Sequence, residues 1–243
     1  MPSVQAIIDR QIRLWEMEKN LREAQPAGQG AGPPVHPVIT VSREHGSGGS
    51  RVAELIAQRF NYTLLHRDVI DRICASAHLR RSIVESLDQH VKSQLAIWCD
   101  AMVAQRYTDS NDYVRFLLEI IRSTASLGGV VVVGRGSNFI VGADAGLHVR
   151  IVAPREQRIQ TLVQFAQLTS HQAEQEMEAR DRERAEFVRK VLGREVTDAD
   201  GYDLVINSAE FSPEQAVELV ATAAQLKFER LRIAAASAES ATG

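Results

Sequence analysis

The sequence predicts an α/β protein built on a parallel sheet. Short β-branched runs alternate with helix-length amphipathic segments, and several runs are apolar throughout, which is typical of strands buried on both faces. A small-residue turn also connects the first run to a helix. The predicted strands cover residues 38–41, 62–65, 129–133, 147–152 and 202–206. We expect right-handed helical crossovers between them.

Composition narrows the class of protein. The chain has 243 residues, 44% of them hydrophobic, which is enough for one domain of good size. A net charge of −3 and an aromatic content of 5% argue against nucleic-acid binding. Cys74 and Cys99 show no metal or redox spacing. Because there is no signal peptide and no apolar run of membrane length, we expect a cytoplasmic protein with no membrane partner.

The N-terminal sequence predicts an appendage to this domain, which consists of a helix and a linker. Residues 3–24 form an amphipathic pattern that includes Ile8, Ile12 and Trp15, followed by a proline- and glycine-rich linker at 26–37. The apolar face of this helix packs on the body or on a partner, and residues 3–24 are the candidate surface for self-association. We assign residues 1–37 to this appendage, 38–230 to the main domain and 231–243 to a flexible tail.

Helix-capping and helix-breaking residues mark the ends of the helices in the main domain. Gly128 ends the helix at 112–127, and Pro154 opens the next one, whose inward residues we expect to be Ile159, Leu162 and Val163. Ser170 opens an arginine-rich helix. Ser212 caps the last helix, with Pro213 at its first position and Gln215 completing a capping box.

The connection between the second and third strands is unusually long. About sixty residues lie there, whereas a plain crossover needs about a dozen. They predict helices at 69–77, 82–90, 94–104 and 112–127. This insert is either a substrate-binding flap over the sheet edge or a helical layer that enlarges the core.

The glycine-rich turn after the first strand is the strongest functional signal. Gly46, Ser47, Gly48, Gly49 and Ser50 lie between a strand and a helix, where orphan amides and the helix dipole favour a phosphate. The pattern G-x-x-x-x-G-K-[ST] is met in part, because Gly49 stands at the lysine position and Arg43 at the first glycine position. Alone, this turn is either a phosphate loop or a tight β–α connection.

Arginines follow several predicted strands, at the sheet edge where ligands of such sheets bind. They are Arg43 after the first strand, Arg135 after the third, and Arg155 and Arg158 after the fourth. Arg180 and Arg184, four residues apart on the arginine-rich helix, share a face and could reach one anion. Singly, each could be a solvated or ion-paired surface group. Together they favour phosphoryl transfer, which depends on positioning and charge neutralisation.

Five motifs in order resemble the cytidylate kinase-like family, most closely its divergent bacterial members. They are SREHGSGGSR, LLHRD, VVVVGRGSNFIVGADAGLHVRIVAPREQRI, EARDRERAEFVRK and YDLVINSAEFSPEQAVELV, and the resemblance spans about residues 38–228. It implies a five-stranded P-loop kinase fold with ATP as donor and Mg²⁺ as cofactor. The acceptor-binding insert would be 66–128, and the LID, a segment that closes over the site, would be 168–193.

The resemblance also implies roles for individual residues. Donor phosphates would lie on the loop formed by Gly46, Ser47, Gly48, Gly49, Ser50 and Arg51, with the Ser50 hydroxyl on Mg²⁺. Asp68, Arg135, Arg158 and Asp181 would bind the acceptor nucleotide. Arg43, with Arg180 and Arg184, would supply the cationic charge that the absent lysine normally provides.

Three departures from the family pattern bear on activity. The loop lysine is replaced by Gly49, the acidic residue of the family's Gly-Arg-Asp motif is Gly136, and the second acidic LID position is Arg184. We therefore expect a kinase acting on a nucleoside monophosphate, CMP-like, or a similar small acceptor. The alternatives are a non-catalytic nucleotide-binding or regulatory module and, third, a fold reused for assembly without nucleotide.

Overall fold

The computed structural model describes residues 3–23, 37–85, 87, 92, 93, 97 and 112–242. Five strands form one parallel sheet in the order β2-β3-β1-β4-β5. The strands are β1 Val38–Arg43, β2 Thr63–Leu65, β3 Val130–Val133, β4 Gly146–Val152 and β5 Leu204–Asn207. The predicted parallel α/β architecture is thus confirmed, and the central position belongs to β1, the strand that leads into the glycine-rich turn.

Helices cover both faces of the sheet. They are α1 Val4–Glu23, α2 Gly49–Phe60, α3 Arg67–Ala75, α4 Ala77–Glu85, α5 Asp112–Leu127, α6 Ser137–Val141, α7 Arg155–Ala166, α8 Ser170–Leu192 and α9 Pro213–Thr242. A 3₁₀ turn, Ala199–Gly201, precedes β5. Among the described residues no helix is long and apolar enough to cross a bilayer.

The alternation of side chains along the strands divides the core into two parts. One part joins Ile39, Val41 and Ile206 to helices α2 and α9. The other joins Val130 and Val132 to residues of α1, α3, α4 and α5 on the opposite face. Because both faces of the sheet are covered, all four valines of β3 and the first four residues of β1 are buried, as expected for a parallel sheet.

Helix α1 packs within the chain. Ile8 and Trp15 are buried in the core that contains α3 and α4, and Trp15 Nε1 donates a hydrogen bond to the main-chain oxygen of Gly128 at 2.9 Å. The apolar stripe predicted for residues 3–24 is therefore used in intramolecular packing. Most of the predicted linker, residues 26–36, lies outside the described residues.

The structure corrects several predicted helix ends. The helix expected at 82–90 is instead Ala77–Glu85, because the Ser76 hydroxyl accepts a hydrogen bond from the Leu79 N–H at 3.3 Å and starts it earlier. The predicted start of the arginine-rich helix is confirmed, since Ser170 is the first residue of α8, and Thr169 caps it in a reciprocal capping box with Gln172. The helix expected at 94–104 lies almost wholly outside the described residues.

Two further expectations were wrong. Val163, expected inward, has 37% of its surface exposed, whereas Arg158 on the same helix is buried by its two carboxylate partners. The segment 231–243, expected as a flexible tail, continues helix α9 as far as Thr242. Its alanine-rich sequence explains the helix, since alanine has the highest helix propensity. The capping box between Ser212 and Gln215 is confirmed.

Candidate active site

The glycine-rich turn has the geometry of an anion-binding loop. It leaves β1 at Arg43 and enters α2 at Gly49, and Gly46 and Gly48 adopt φ of 83° and 72°. A Cβ at Gly46 would lie 2.6 Å from the main-chain oxygen of Arg158, so only glycine fits there. In the first turn of α2 the Arg51 amide donates to the main-chain oxygen of Gly48 at 2.9 Å. The amides of Gly49 and Ser50 precede it at the helix start, where such amides lack intrahelical acceptors and favour an anion.

Side chains of the loop divide between interior and surface. Ser47 is buried, and its hydroxyl donates to the main-chain oxygen of Glu44 at 2.9 Å, so it shapes the turn. Ser50 is exposed in the first turn of α2. Arg51 is also exposed and pairs with Glu54 at 3.3 Å. Of the loop side chains expected to act on the donor, Ser50 is thus the hydroxyl accessible to a phosphate-bound ion.

Arg43 extends from the loop toward the turn that follows β3. Its stem lies over Gly49, and its guanidinium lies against Gly134. Arg43 Nε is buried without a hydrogen-bond partner among the described residues. Burial, followed by repulsion from Arg184, Arg67 and Arg135, lowers the pKa of Arg43 to about 10. Four guanidinium groups therefore gather at one place, an arrangement that favours a polyanion.

Asp181 on α8 contacts the loop directly. Its carboxylate accepts a hydrogen bond from the His45 N–H at 2.9 Å and pairs with Arg158 and with Arg184, the latter at 3.2 Å. Arg158 is buried and also pairs with Glu44 at 3.1 Å. Arg158 and Asp181, both expected to bind the acceptor, are thus brought together and hold α8 against the loop.

One more ion pair and one histidine–carboxylate contact connect α8 to the body. His45 Nε2 lies 3.3 Å from Glu176, and Arg67 Nη2 lies 2.7 Å from Glu183. The hydrogen bond from Arg67 lowers the pKa of Glu183, and the same bond raises the pKa of Arg67. Burial lowers the pKa of His45. Helix α8, the segment expected as LID, therefore lies across the site with its carboxylates on the loop and on α3.

Arg180 and Arg184 occupy the same face of α8, as predicted, but differ in environment. Arg184 is partly buried and donates to the main-chain oxygen of Arg43 at 3.3 Å. Burial lowers the pKa of Arg184. Arg180 is exposed and pairs with Glu176 at 3.8 Å and Glu183 at 3.7 Å. Arg180 thus resembles the salt-bridged surface group of the alternative interpretation, whereas Arg184 faces the loop.

A residue missed as a site residue organises the acceptor side. Asp71 accepts hydrogen bonds from Arg135 Nε at 3.0 Å and from the Tyr113 hydroxyl at 2.7 Å. The ring of Phe187 lies on the other side of Arg135, 5.0 Å from the guanidinium carbon. The sequence signal was available, since Asp71 lies one turn after Asp68 in the first half of α3. Asp68 itself is exposed at the start of that helix.

A cavity of about 510 Å³ joins these groups. It is bounded by the ends of β1 and β3, the start of α3 and the inner face of α8. Its charged and histidine lining residues are Arg43, His45, His66, Arg67, Asp68, Asp71, Arg135, Glu176, Arg180, Glu183 and Arg184. Burial lowers the pKa of His66 at its edge. The cavity lies beside the glycine-rich loop, on the β2–β3 side of β1, and is large enough for a small acceptor.

The residues fit a magnesium ion held mainly by phosphate and water. Within the described part of the chain, no group of three histidine, cysteine or carboxylate side chains is placed to hold a metal. Mg²⁺ commonly keeps several waters and binds through phosphate oxygens and few protein ligands. The exposed hydroxyl of Ser50, beside the loop amides, meets that requirement.

Comparisons with known proteins agree with this geometry. A family model described as the cytidylate kinase-like family matches residues 38–210. A cytidylate kinase from Ignicoccus hospitalis is 23% identical over 184 residues, covering 75% of this chain and 96% of that protein.

Solved structures were also compared with the chain. An uncharacterised protein from Eubacterium ventriosum superposes with a TM-score of 0.59 at 17% identity, covering 77% of this chain and 97% of the other. A gluconokinase from Sinorhizobium meliloti gives a TM-score of 0.44 at 15% identity, covering 81% and 98%. The similarity to the Eubacterium ventriosum protein thus shows a shared fold.

Proposed function

The chain belongs to the cytidylate kinase-like family, and from that premise we infer that it transfers the γ-phosphoryl group of ATP to a nucleoside monophosphate, CMP-like, or a similar small acceptor. The observation that carries this inference is the position of Arg43. Its guanidinium lies between the glycine-rich loop and a cavity bordered by four other arginines. Phosphoryl transfer requires cationic charge at such a junction.

On the donor side, the loop amides from Gly46 to Ser50 would hold the triphosphate. Support comes from the left-handed Gly46 and Gly48 and from the free helix start at Gly49. Magnesium, when bound, would neutralise phosphate charge and orient the γ-phosphoryl group. Ser50 is the protein residue that would hold it.

Arg43 and Arg184 would neutralise the charge that develops during transfer. Arg43 has no carboxylate partner among the described residues, so it is available to a phosphate. Arg184 is already fixed by Asp181 and by the Arg43 carbonyl. Arg180 lies at the cavity rim and would add charge when its carboxylate partners move.

The acceptor would lie in the 510 Å³ cavity, between Arg135 and Asp68. Arg135 is held in place by Asp71 and Tyr113, so its orientation is set before the acceptor arrives. Arg158 and Asp181 would act by positioning α8, because each is already engaged by the other and by the loop.

The experiment is a coupled ADP-release assay across the common nucleoside monophosphates, run beside Mg-ATP binding. ADP release that depends on one acceptor supports the proposal. Binding of Mg-ATP without transfer to any acceptor would favour the alternative of a non-catalytic nucleotide-binding module.

That alternative has its own structural support. Three carboxylates of α8 contact groups of the loop and of α3 that line the site: Glu176 lies beside the His45 ring, Asp181 accepts from the His45 amide, and Glu183 pairs with Arg67. A module that only binds nucleotide could exploit this closed arrangement as a sensor. A measurement of turnover distinguishes a kinase from a module that only binds nucleotide, whereas a measurement of nucleotide affinity does not.

A further inference from the structure

Arg43 and Gly49 stand at the two positions where the loop departs from the P-loop pattern, and they are in contact. A Cβ on Gly49 would lie 2.5 Å from Arg43 Cβ and 3.2 Å from Arg43 Cγ. Gly49 is not among the residues with positive φ, so its backbone does not require glycine. The arginine stem is therefore the main reason why position 49 cannot carry a side chain, including the lysine of the standard pattern.

Gly134 provides the space at the other end of the same side chain. A Cβ there would overlap Arg43 Nη1, and Gly134 also has a φ of 81°. Because β1 and β3 are neighbours, with Val41 opposite Val133, the first residue after β3 lies beside the end of β1. Arg43 thus crosses from the loop to this turn through space left by two glycines.

We propose that the two departures are one reciprocal exchange. Arginine at position 43 takes over the volume and the charge of the missing lysine. Gly49 and Gly134 are positioning residues that act through Arg43. The catalytic part of this proposal rests on the proposed function. The steric part does not, since it concerns the fold of the loop alone.

The steric part is tested by thermal unfolding of the full chain. Gly49→Ala is expected to lower the melting temperature by about 3–8 °C, because the added methyl overlaps Arg43. Arg43→Gly should relieve most of this loss, whereas Arg43→Ala should not, since it keeps the Cβ that causes the overlap. Ile151 Cβ lies 3.0 Å from the methyl added at position 49. This contact is the same in all of these variants, so it does not explain a difference between them. Equal losses in the Arg43→Gly and wild-type backgrounds would overturn the proposal.

The catalytic part is tested by exchanging the two residues. The double variant Arg43→Gly with Gly49→Lys restores G-x-x-x-x-G-K-S at positions 43–50. We expect Mg-ATP binding and phosphoryl transfer at least about tenfold above Arg43→Gly alone. Gly49→Lys alone should lose stability and binding. A double variant no better than Arg43→Gly would contradict the exchange.

The positioning role of Gly134 is tested by comparison with Gly142, another glycine with a positive φ. Gly134→Ala and Gly142→Ala each place a methyl group at a positive φ, 81° and 86°, but nothing lies within 4 Å of a Cβ on Gly142. Only Gly134→Ala should lower kcat, by about tenfold or more, and only while Arg43 is present. An equal effect on kcat in the Arg43→Gly background would show that Gly134 does not act through Arg43.

A failure of the proposed function and a failure of the steric exchange would give different results. If the wild-type protein binds no nucleotide, the proposed function fails, and the unfolding series on Gly49 still decides the steric exchange. If Gly49→Ala is harmless while Arg43 is present, the exchange fails whatever the enzyme assays give.

Discussion

Asp181 places a carboxylate oxygen 2.9 Å from the main-chain nitrogen of His45, within the loop that is proposed to hold phosphate. The same carboxylate pairs with Arg158 and Arg184. A side-chain anion on α8 therefore occupies the amide that immediately precedes the proposed phosphate-binding amides, Gly46 to Ser50. A triphosphate on this loop would be repelled by the Asp181 carboxylate.

Removing this competing charge should strengthen triphosphate binding. Asp181→Asn is expected to lower the Mg-ATP dissociation constant by about 3- to 10-fold, because the His45 amide no longer has a charged acceptor. Calorimetry measures the change. Glu178→Gln is the matched control, since Glu178 lies on α8 and pairs with Arg155, away from the loop. Equal effects from both variants would show that the net charge of α8, and not the contact with His45, sets affinity.

Gly136 cannot simply be replaced by the acidic residue of the family motif. Its φ is 62°, and a Cβ there would overlap Leu192 Cδ1. Gly136→Asp should reduce the free energy of unfolding by about 2–4 kcal/mol. Gly48→Asp, at a φ of 72° in the same left-handed region but with open space around a Cβ, should cost less. Urea unfolding measures the loss of stability in both glycine variants. Leu192→Ala should reduce the loss caused by Gly136→Asp and leave the other loss unchanged. Losses of equal size at the two glycines would exclude Leu192 as the cause.

The docking of α1 should contribute to the stability of the whole domain. Trp15→Ala removes a buried ring and its hydrogen bond to Gly128, and we expect a loss of about 3 kcal/mol in urea unfolding. Met17, 61% exposed on the same helix, is the control, and Met17→Ala should change stability by less than about 0.5 kcal/mol. If Trp15→Ala is neutral but changes the oligomeric state, α1 serves self-association, as the sequence also allowed.

A buried histidine should make stability depend on pH. His148 lies between Thr40 Oγ1, 2.8 Å from Nδ1, and the Gly142 carbonyl, 2.8 Å from Nε2, near the Asp203–Lys227 pair. Burial, the largest effect, lowers the pKa of His148 below its ordinary value of 6.5. The unfolded chain therefore takes up a proton at a higher pH than the folded chain.

The sign follows from this difference. The contribution of His148 is fully present above pH 6.5 and is lost as the pH falls toward its folded pKa. Urea unfolding between pH 8 and pH 5 should show a decline that His148→Gln reduces. His171, exposed on α8, supplies the control variant His171→Gln, which should leave the decline unchanged. An identical pH profile for wild type and His148→Gln would assign the decline to other groups.

Much of the fold could be predicted from local sequence. The β-branched runs gave all five strands, with end errors of two residues or fewer, and Asp112–Leu127 was placed at its observed ends. These elements depend on periodicity and on strong terminators such as Gly128. The helix start that depends on the Ser76 hydroxyl was misplaced, because the neighbouring Ser82 satisfies the same pattern.

The site was predictable in its residue types but less so in its pairings. The glycine loop, Arg43 and Arg184 lie together as expected. The pairing of Asp71 with Arg135 joins residues 64 positions apart, and that of Arg158 with Asp181 depends on how α7 and α8 pack. Such contacts arise from tertiary structure, which local pattern does not encode.

The most direct measurement is calorimetric titration of Mg-ATP into the wild-type protein and the Arg43→Ala variant. We expect a dissociation constant of about 1 mM or tighter for the wild type, which corresponds to about −4 kcal/mol or more favourable. Arg43→Ala should weaken binding about tenfold while leaving the melting temperature of the unliganded protein nearly unchanged. An absence of heat with every nucleoside triphosphate at millimolar concentration would contradict the assignment of this loop as a polyphosphate site.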